Sequence, residues 1–561
     1  MGAPKLSAVE RIKAASRGLR GTIVEGLADP VTGGIAEDDQ HLLKFHGSYQ
    51  QHDRDSSEAR RQAKLEPAYS FMIRTRLPGG VCTPAQWLAL DALAVKHANG
   101  TLRLTSRQAF QLHGVLKGDL KPAIAAMNAA LIDSIAACGD VNRNVLASPG
   151  PAASALHSEA QRWALRLSEH LLPRTRAYHE IWLDGKKVVP EQEEERLLGA
   201  TYLPRKFKTA IAVPPVNDVD IYAQDLGFIA IGENGRLAGF NVTAGGGLGA
   251  THGDAKTYPR LADVVGFLRP EQLLAVAEAV VTTQRDFGDR TERKHARLKY
   301  TIADRGLDWF RAELEQRTGV AFEPPRPFEF TTTGDPFGWT EDSEGRWHLL
   351  LRIESGRVAD RGDRRLRSGL ARIAQVHRGH FRLTPNQNLI IADVAPENRW
   401  RIDAIVAGYG LDAFRKSRAI ALESLACVAL PTCPLAMAEA ERYMPVATAV
   451  IDALMEKHGL AGEPLLFRVS GCPNGCSRPY LAEIALVGKA PGRYNLHLGG
   501  ARDGRRLSPL YRENLDEPGI LAALDPLFAA WSAGRVPGEA FGDFLHRDGR
   551  LAATTATGRP P

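Results

Sequence analysis

Apolar and polar residues exchange places with a period of two in several short stretches of this chain. Phe71-Met-Ile-Arg-Thr-Arg-Leu77 alternates in this way, which predicts a strand, and Pro78-Gly-Gly80 ends it. Thr83-Pro-Ala-Gln-Trp-Leu-Ala-Leu-Asp91 then opens a helix, with Thr83 as N-cap and Pro84 at the first helical position. Gly100 to Val115 reads as a further strand-like run. Its alternation puts Arg103, Thr105, Arg107, Ala109, Gln111 and His113 on one side and Leu102, Leu104, Phe110 and Leu112 mainly on the other. Lys206 to Val213 is strand-like, and Pro270 to Thr283 and Ile520 to Ala533 read as helices.

One of these runs occurs twice. Gly379 to Val394 aligns with Gly100 to Val115 without gaps, and Gly, Arg, Leu, Thr, Gln and Val recur at corresponding positions. A strand-like and then a helix-like segment precede both copies, Trp347 to Ile353 and Arg367 to His377 in the second. An ordered repeat of this kind points to internal duplication and a pseudo-two-fold body. With 561 residues the chain exceeds a single core. We divide it into an N-terminal arm (1–70), a duplicated unit (71–135 plus 339–415), an inserted α/β region (136–338) and a C-terminal unit (416–561). Ser7 is the expected cap of a helix in the arm, and the tail after Leu551 is expected to fray.

Composition narrows the class. Hydrophobic residues make up 44% and charged residues 24%, as in ordinary globular proteins. No apolar run approaches the roughly 20 residues that span a bilayer. The first residues lack the apolar segment of a secretory leader, so a cytoplasmic protein is expected. The net charge of +6 is modest, and no polybasic run or zinc-finger spacing suggests nucleic acid. The positive residues instead cluster within strand-like segments, which suits a small anion.

Four of six cysteines form two close pairs, Cys427 with Cys433 and Cys472 with Cys476. Four thiolates complete one soft-metal site, and Asn474-Gly475 favours a turn joining the second pair. Structural zinc usually uses two-residue knuckles, and disulfides require an oxidising compartment. An iron–sulfur centre is the favoured reading, with the others as alternatives. Cys82 and Cys138 have no sequence partner and read as buried thiols. The glycine-rich Ala244 to Gly249 lacks the spacing of a dinucleotide loop and reads as a tight turn or close backbone approach.

Leu430-Pro-Thr-Cys-Pro-Leu-Ala-Met-Ala-Glu-Ala-Glu-Arg442 and Gly471-Cys-Pro-Asn-Gly-Cys-Ser-Arg-Pro479 resemble the paired signature of the sirohaem- and [4Fe–4S]-dependent sulfite and nitrite reductases, over nearly the whole chain. The resemblance implies an α+β multidomain fold with ferredoxin-like halves and α/β cofactor-binding domains. It implies that Cys427, Cys433, Cys472 and Cys476 hold the cluster, with Cys476 bridging to sirohaem. It further implies that Arg74, Arg143, Lys206 and Lys208 hold the substrate. Arg103, Thr105, Arg107, Gln111 and Asn474 would contact the sirohaem.

The activity implied is six-electron reduction of sulfite to sulfide in sulfur assimilation. Electrons would come from NADPH through a separate flavoprotein (alpha) subunit, since no flavin or NADPH motif stands out. Ferredoxin-linked reduction of nitrite or sulfite is the alternative enzyme, and a zinc-stabilised structural protein the non-enzymatic one. Each basic residue alone also fits a solvated surface cation. The duplicate weighs against that for the Arg103 face, because it keeps Arg382 and Thr384 but has Asn386 where the first copy has Arg107.

Overall fold

In a computed structural model of the chain, residues 5–150, 154–174, 181–183, 186–188 and 195–551 are described. The tail expected to fray after Leu551 lies outside them. The Gly100–Val115 run is a hairpin and not one strand. Leu102–Leu104 pairs antiparallel with Phe110–Val115 through a turn at Thr105–Ala109. The cause lies at Gln108, whose φ of 49° reverses the chain. The second copy repeats it, with His380–Leu383, Leu389–Val394 and Gln387 at φ 66°.

Each hairpin sits in a five-stranded sheet. The first runs Ser48–His52, Tyr69–Arg74, Phe110–Val115, Leu102–Leu104, Arg357–Val358. The second runs Gly338–Glu341, Trp347–Leu351, Leu389–Val394, His380–Leu383, Val81–Cys82. Each half therefore supplies the edge strand of the other's sheet. Trp87, fully buried on the capped helix Pro84–His97, lies 5.5 Å from the Phe110 ring and 4.8 Å from Phe381, so one side chain packs against both hairpins.

The exchange demands two glycines. Gly80 and Gly356 precede the swapped edge strands at φ 74° and 71°, and a Cβ there would meet Leu383 O at 2.7 Å and Leu104 O at 2.1 Å.

A second duplication is visible only in the topology. Leu146–Ala147, Thr209–Ala212, Leu226–Glu233, Arg236–Ala244 and Asp263–Leu268 form one sheet, with two parallel pairings followed by two antiparallel ones. Leu425–Ala426, Phe467–Ser470, Ile484–Ala490, Arg493–Leu498 and Leu510–Leu515 repeat that order and those directions. After the second strand of each set, a short 3-10 turn begins at a left-handed residue, Asp220 in one and Arg478 in the other.

Gly356→Ala is expected to lower stability by roughly 2–4 kcal/mol, because it combines backbone strain with a carbonyl clash. Gly118→Ala, with open space around it, should stay within about 0.5 kcal/mol. Thermal unfolding of the two variants side by side checks this.

Candidate active site

Parallel strands place both cysteine pairs at one end of a sheet. Ala426 pairs with Val469, so the loops leaving Leu425–Ala426 and Phe467–Ser470 emerge side by side at the carboxyl ends of adjacent strands. Such ends are where open α/β sheets build sites. The Cys427 amide donates to Val469 O at 3.3 Å, and Gly471 N–H donates to Cys427 Sγ at 3.2 Å. Gly475, at φ 64°, makes the turn between Cys472 and Cys476.

The four sulfurs feel one another. Burial first, then Cys476, Cys433 and Cys472, push the Cys427 thiol well up. Burial and the neighbouring Cys476 push Cys472 up to about 12. Cys433 is raised by the same two causes, against backbone N–H groups at Leu435 and Ala436 and the charge of Arg54. Thiols this crowded resist ionising together, and a cation among them removes the penalty. All six cysteines are free thiols.

On the far side of Cys476 lies a cleft with about 410 Å³ of empty space, walled by Ser106, Arg107, Lys206, Lys208, Gln224, Arg297, Asn474, Cys476 and Arg478 among others. Five of its lining side chains are cationic and none is a carboxylate. Arg297 is neutralised by a bidentate pair with buried Asp225 (2.7 and 2.8 Å), and Arg478 by Asp220 (3.0 Å). Lys206 and Lys208 have no ion-pair partner or side-chain hydrogen bond among the described residues.

Burial lowers Lys206 well below the usual lysine range, with Arg205, Lys208 and Arg143 adding to it. Burial, then Arg107 and Arg297, bring Lys208 down to about 7. Burial and Arg143 bring Arg107 to about 9, and its buried Nε has no acceptor. A cleft of uncompensated cations is complementary to a polyanion. These donors fit a tetrapyrrole bearing carboxylates, and the four thiolates fit an iron–sulfur cluster.

Register explains how the remaining candidates gather. Arg74, Gln111, Arg103 and Arg357 form one rung across four neighbouring strands of the first sheet. Opposed residues share a face, and with its amide oxygen turned inward Gln111 accepts from Arg74 Nη2 at 2.6 Å. Arg74 Nη1 also lies 3.3 Å from Cys138 Sγ. Arg143 is tied to the lysine segment that precedes Thr209–Ala212, because its N–H donates to Phe207 O at 3.0 Å between Lys206 and Lys208.

Two candidates are turned elsewhere. Arg103 pairs with Glu441, which also holds Arg357, and donates to Ala426 O at 2.9 Å beside Cys427. The Thr105 hydroxyl accepts from the amides of Arg107 and Ala109, both at 3.3 Å, and so fixes the hairpin turn.

Sequence reasoning missed several neighbours. Tyr49 faces Arg143 and Cys138 and lies 5.8 Å from the Arg74 guanidinium, so the strand Ser48–His52 of the N-terminal arm enters the site. Cys138 is not remote from the chemistry, and Arg478 was readable inside the second cysteine signature. Arg297 follows a 3-10 turn, where strand alternation gives no signal. The glycine run is a close approach, since a Cβ on Gly246 would sit 2.2 Å from Tyr222 O.

Asp342, His348 and Asp393 also cluster, on the second sheet. His348 Nδ1 accepts the Asp393 amide at 3.2 Å while Nε2 lies 2.9 Å from Asp342. Both ring nitrogens are therefore committed and none is left for a metal.

Comparison with known proteins identifies the family. The family model described as "Nitrite/Sulfite reductase ferredoxin-like half domain" matches residues 63–130 and 340–408. The model "Nitrite and sulphite reductase 4Fe-4S domain" matches residues 163–322, which hold none of the four cysteines but include four full strands of the first duplicated α/β sheet. The chain belongs to the nitrite and sulphite reductase family.

It is 63% identical over 555 residues to the "Sulfite reductase [NADPH] hemoprotein beta-component" of Myxococcus xanthus (strain DK1622), covering 99% of each. It is 60% identical over 548 residues to the protein of that description from Xanthomonas oryzae pv. oryzae (strain PXO99A), covering 97% of this chain and 96% of the other. Among solved structures, "Structure of Mycobacterium tuberculosis NirA protein" shares the fold, with a TM-score of 0.76 at 24% identity and 97% coverage of each chain.

The sign of the Lys208 shift gives a stability test. Between pH about 7 and the ordinary lysine pKa of 10.5, the unfolded chain binds a proton that the folded chain does not, so stability rises with pH. Lys208→Met removes the penalty of a buried charge. In cofactor-free protein it should raise the melting temperature more at pH 6 than at pH 10, as scanning fluorimetry would record.

Proposed function

We propose that this protein reduces sulfite to sulfide with six electrons, using sirohaem and a [4Fe–4S] cluster. The observation that carries the reading is that a four-thiolate centre and an unneutralised cationic cleft meet at Cys476. Cys427, Cys433, Cys472 and Cys476 would hold the cluster. Arg107, Lys208 and Asn474 would receive the tetrapyrrole, with Gln111 orienting Arg74, Thr105 shaping the turn that presents Arg107, and Arg103 anchoring the cysteine unit through Glu441. When bound, the sirohaem supplies an iron that takes the substrate and passes it electrons.

The chain's own residues do the rest. Arg74, Arg143, Lys206 and Lys208 converge on a small anion and fix its oxygens, replacing the hydration it loses. An anion between the lysines restores their protonated state, because it supplies the negative partner that the cleft lacks. Lys206 and Lys208 can then donate protons as oxygen leaves as water, while the guanidinium groups stay charged. Arg143 Nη2 donates to Gly139 O at 3.1 Å, and this bond holds the cation in place.

The described relatives are named as beta-components of an NADPH-dependent enzyme. We accordingly assign the electron supply to a flavoprotein alpha subunit, and the working compartment to the cytoplasm. No helix among the described residues is long and apolar enough to cross a membrane.

The test is steady-state turnover of cofactor-loaded protein with sulfite and with nitrite, using one artificial low-potential donor. A kcat/KM favouring sulfite is expected, and Lys206→Met should lower it about 10²–10³-fold. A clear preference for nitrite would transfer the assignment to nitrite reduction. Turnover of neither anion by fully loaded protein would refute the cleft as the substrate site.

A further inference from the structure

The segment after Ser48–His52 leaves the first sheet and crosses onto the cysteine loop. Arg54 makes the crossing. Its backbone N–H donates to Pro431 O at 3.0 Å, and its Nη1 donates to Pro434 O and Ala436 O, each at 3.4 Å. These three carbonyls bracket Cys433, two residues before it and one and three after. The next residue continues the clamp, because the Asp55 carboxylate takes both Nη groups of Arg442 at 2.5 and 3.1 Å. Both contacts join residues more than 370 positions apart in sequence.

Two consequences follow from chemistry alone. A loop held at three carbonyls by one residue cannot reorganise around Cys433 without breaking those bonds. A guanidinium is charged at every accessible pH, so it places a fixed positive charge beside one corner of the thiolate centre. A centre that gains an electron becomes more negative, and a nearby cation stabilises the reduced form over the oxidised one.

We propose that Arg54 is a positioning residue for the cluster, holding the Cys433 loop and raising the reduction potential of the centre through its charge. The inference rests on the cluster reading above. It gives this part of the N-terminal segment a task in electron transfer, since the strand immediately before it carries Tyr49 into the substrate side of the site. One continuous stretch of about six residues thereby touches both ends of the electron path.

The experiment uses holoprotein and two variants, Arg54→Met and Arg54→Lys. Anaerobic redox titration followed by electron paramagnetic resonance reads the reduced-to-oxidised ratio of the cluster at the potential where the wild type is half reduced. Arg54→Met should lower that ratio roughly fivefold or more, whereas Arg54→Lys, which keeps the charge, should stay within about twofold. Release of iron to a chelator should be faster than wild type in Arg54→Met, because methionine cannot donate to Pro434 O and Ala436 O.

Retention of iron by Arg54→Lys and its loss from Arg54→Met would also support the assignment. Wild-type ratio and wild-type iron release in Arg54→Met would overturn it while leaving the cluster reading intact. Wild-type protein that carries neither iron nor acid-labile sulfide would overturn both.

Discussion

The structure depends on a charge imbalance. Most buried cations among the described residues have a partner within the fold: Arg297 has Asp225, Arg468 and Arg478 share Asp220, and Lys13 has Glu10. Lys206 and Lys208 do not, and they line a cleft together with Cys476, one of the four crowded thiols. A folded chain that buries both an unmatched positive surface and a cluster of soft ligands is incomplete on electrostatic grounds. An anionic tetrapyrrole and a cationic iron–sulfur core complete the two sides. In the function proposed above, Cys476 would be their meeting point and would turn two binding problems into one electron path.

Duplication supplies the scaffold, and divergence within it supplies the asymmetry. In the first ferredoxin-like half the central rung reads Arg74, Gln111, Arg103. In the second, the corresponding rung reads Leu350, Ile390, Arg382, and Leu350 and Ile390 close into a small apolar cluster with Ala392. Asn386, standing where the first hairpin has Arg107, serves as a structural strut by accepting from Arg478 at 3.0 Å. The α/β units diverge in parallel. One presents Lys206 and Lys208 before its second strand, and the other presents cysteines after its first and second. Asp220 and Arg478 occupy equivalent turns and pair with each other, so the two units are joined by residues at matching positions.

Much of this was legible in the chain. Period-two alternation put Arg103 and Gln111 on one face, and the register agrees. The Thr83-Pro84 start became a capping box with Gln86. The gapless repeat announced the paired hairpins. What alternation alone does not reveal is a reversal, and Gln108 carries no glycine or proline to announce one, so a hairpin read as a single run. The second duplication left no residue pattern, because corresponding strands share order and direction but not side chains: Asp263–Leu268 is mostly buried and apolar, whereas Leu510–Leu515 is mostly exposed and polar. Tyr49 and Arg54 were beyond reach for a different reason. They lie in a segment read as an arm, and their partners are tens to hundreds of residues away. The thiol at Cys138 was taken as packing because a lone cysteine carries no spacing.

The central claim is that iron is held at two adjacent places, among the four thiolates and in the cationic cleft. Anomalous diffraction at the iron edge from crystals of anaerobically purified protein tests it most directly. The account predicts one peak enclosed by the sulfurs of Cys427, Cys433, Cys472 and Cys476 and a second in the cleft beyond Cys476. A single zinc peak among the cysteines, with no iron in the cleft, would contradict it.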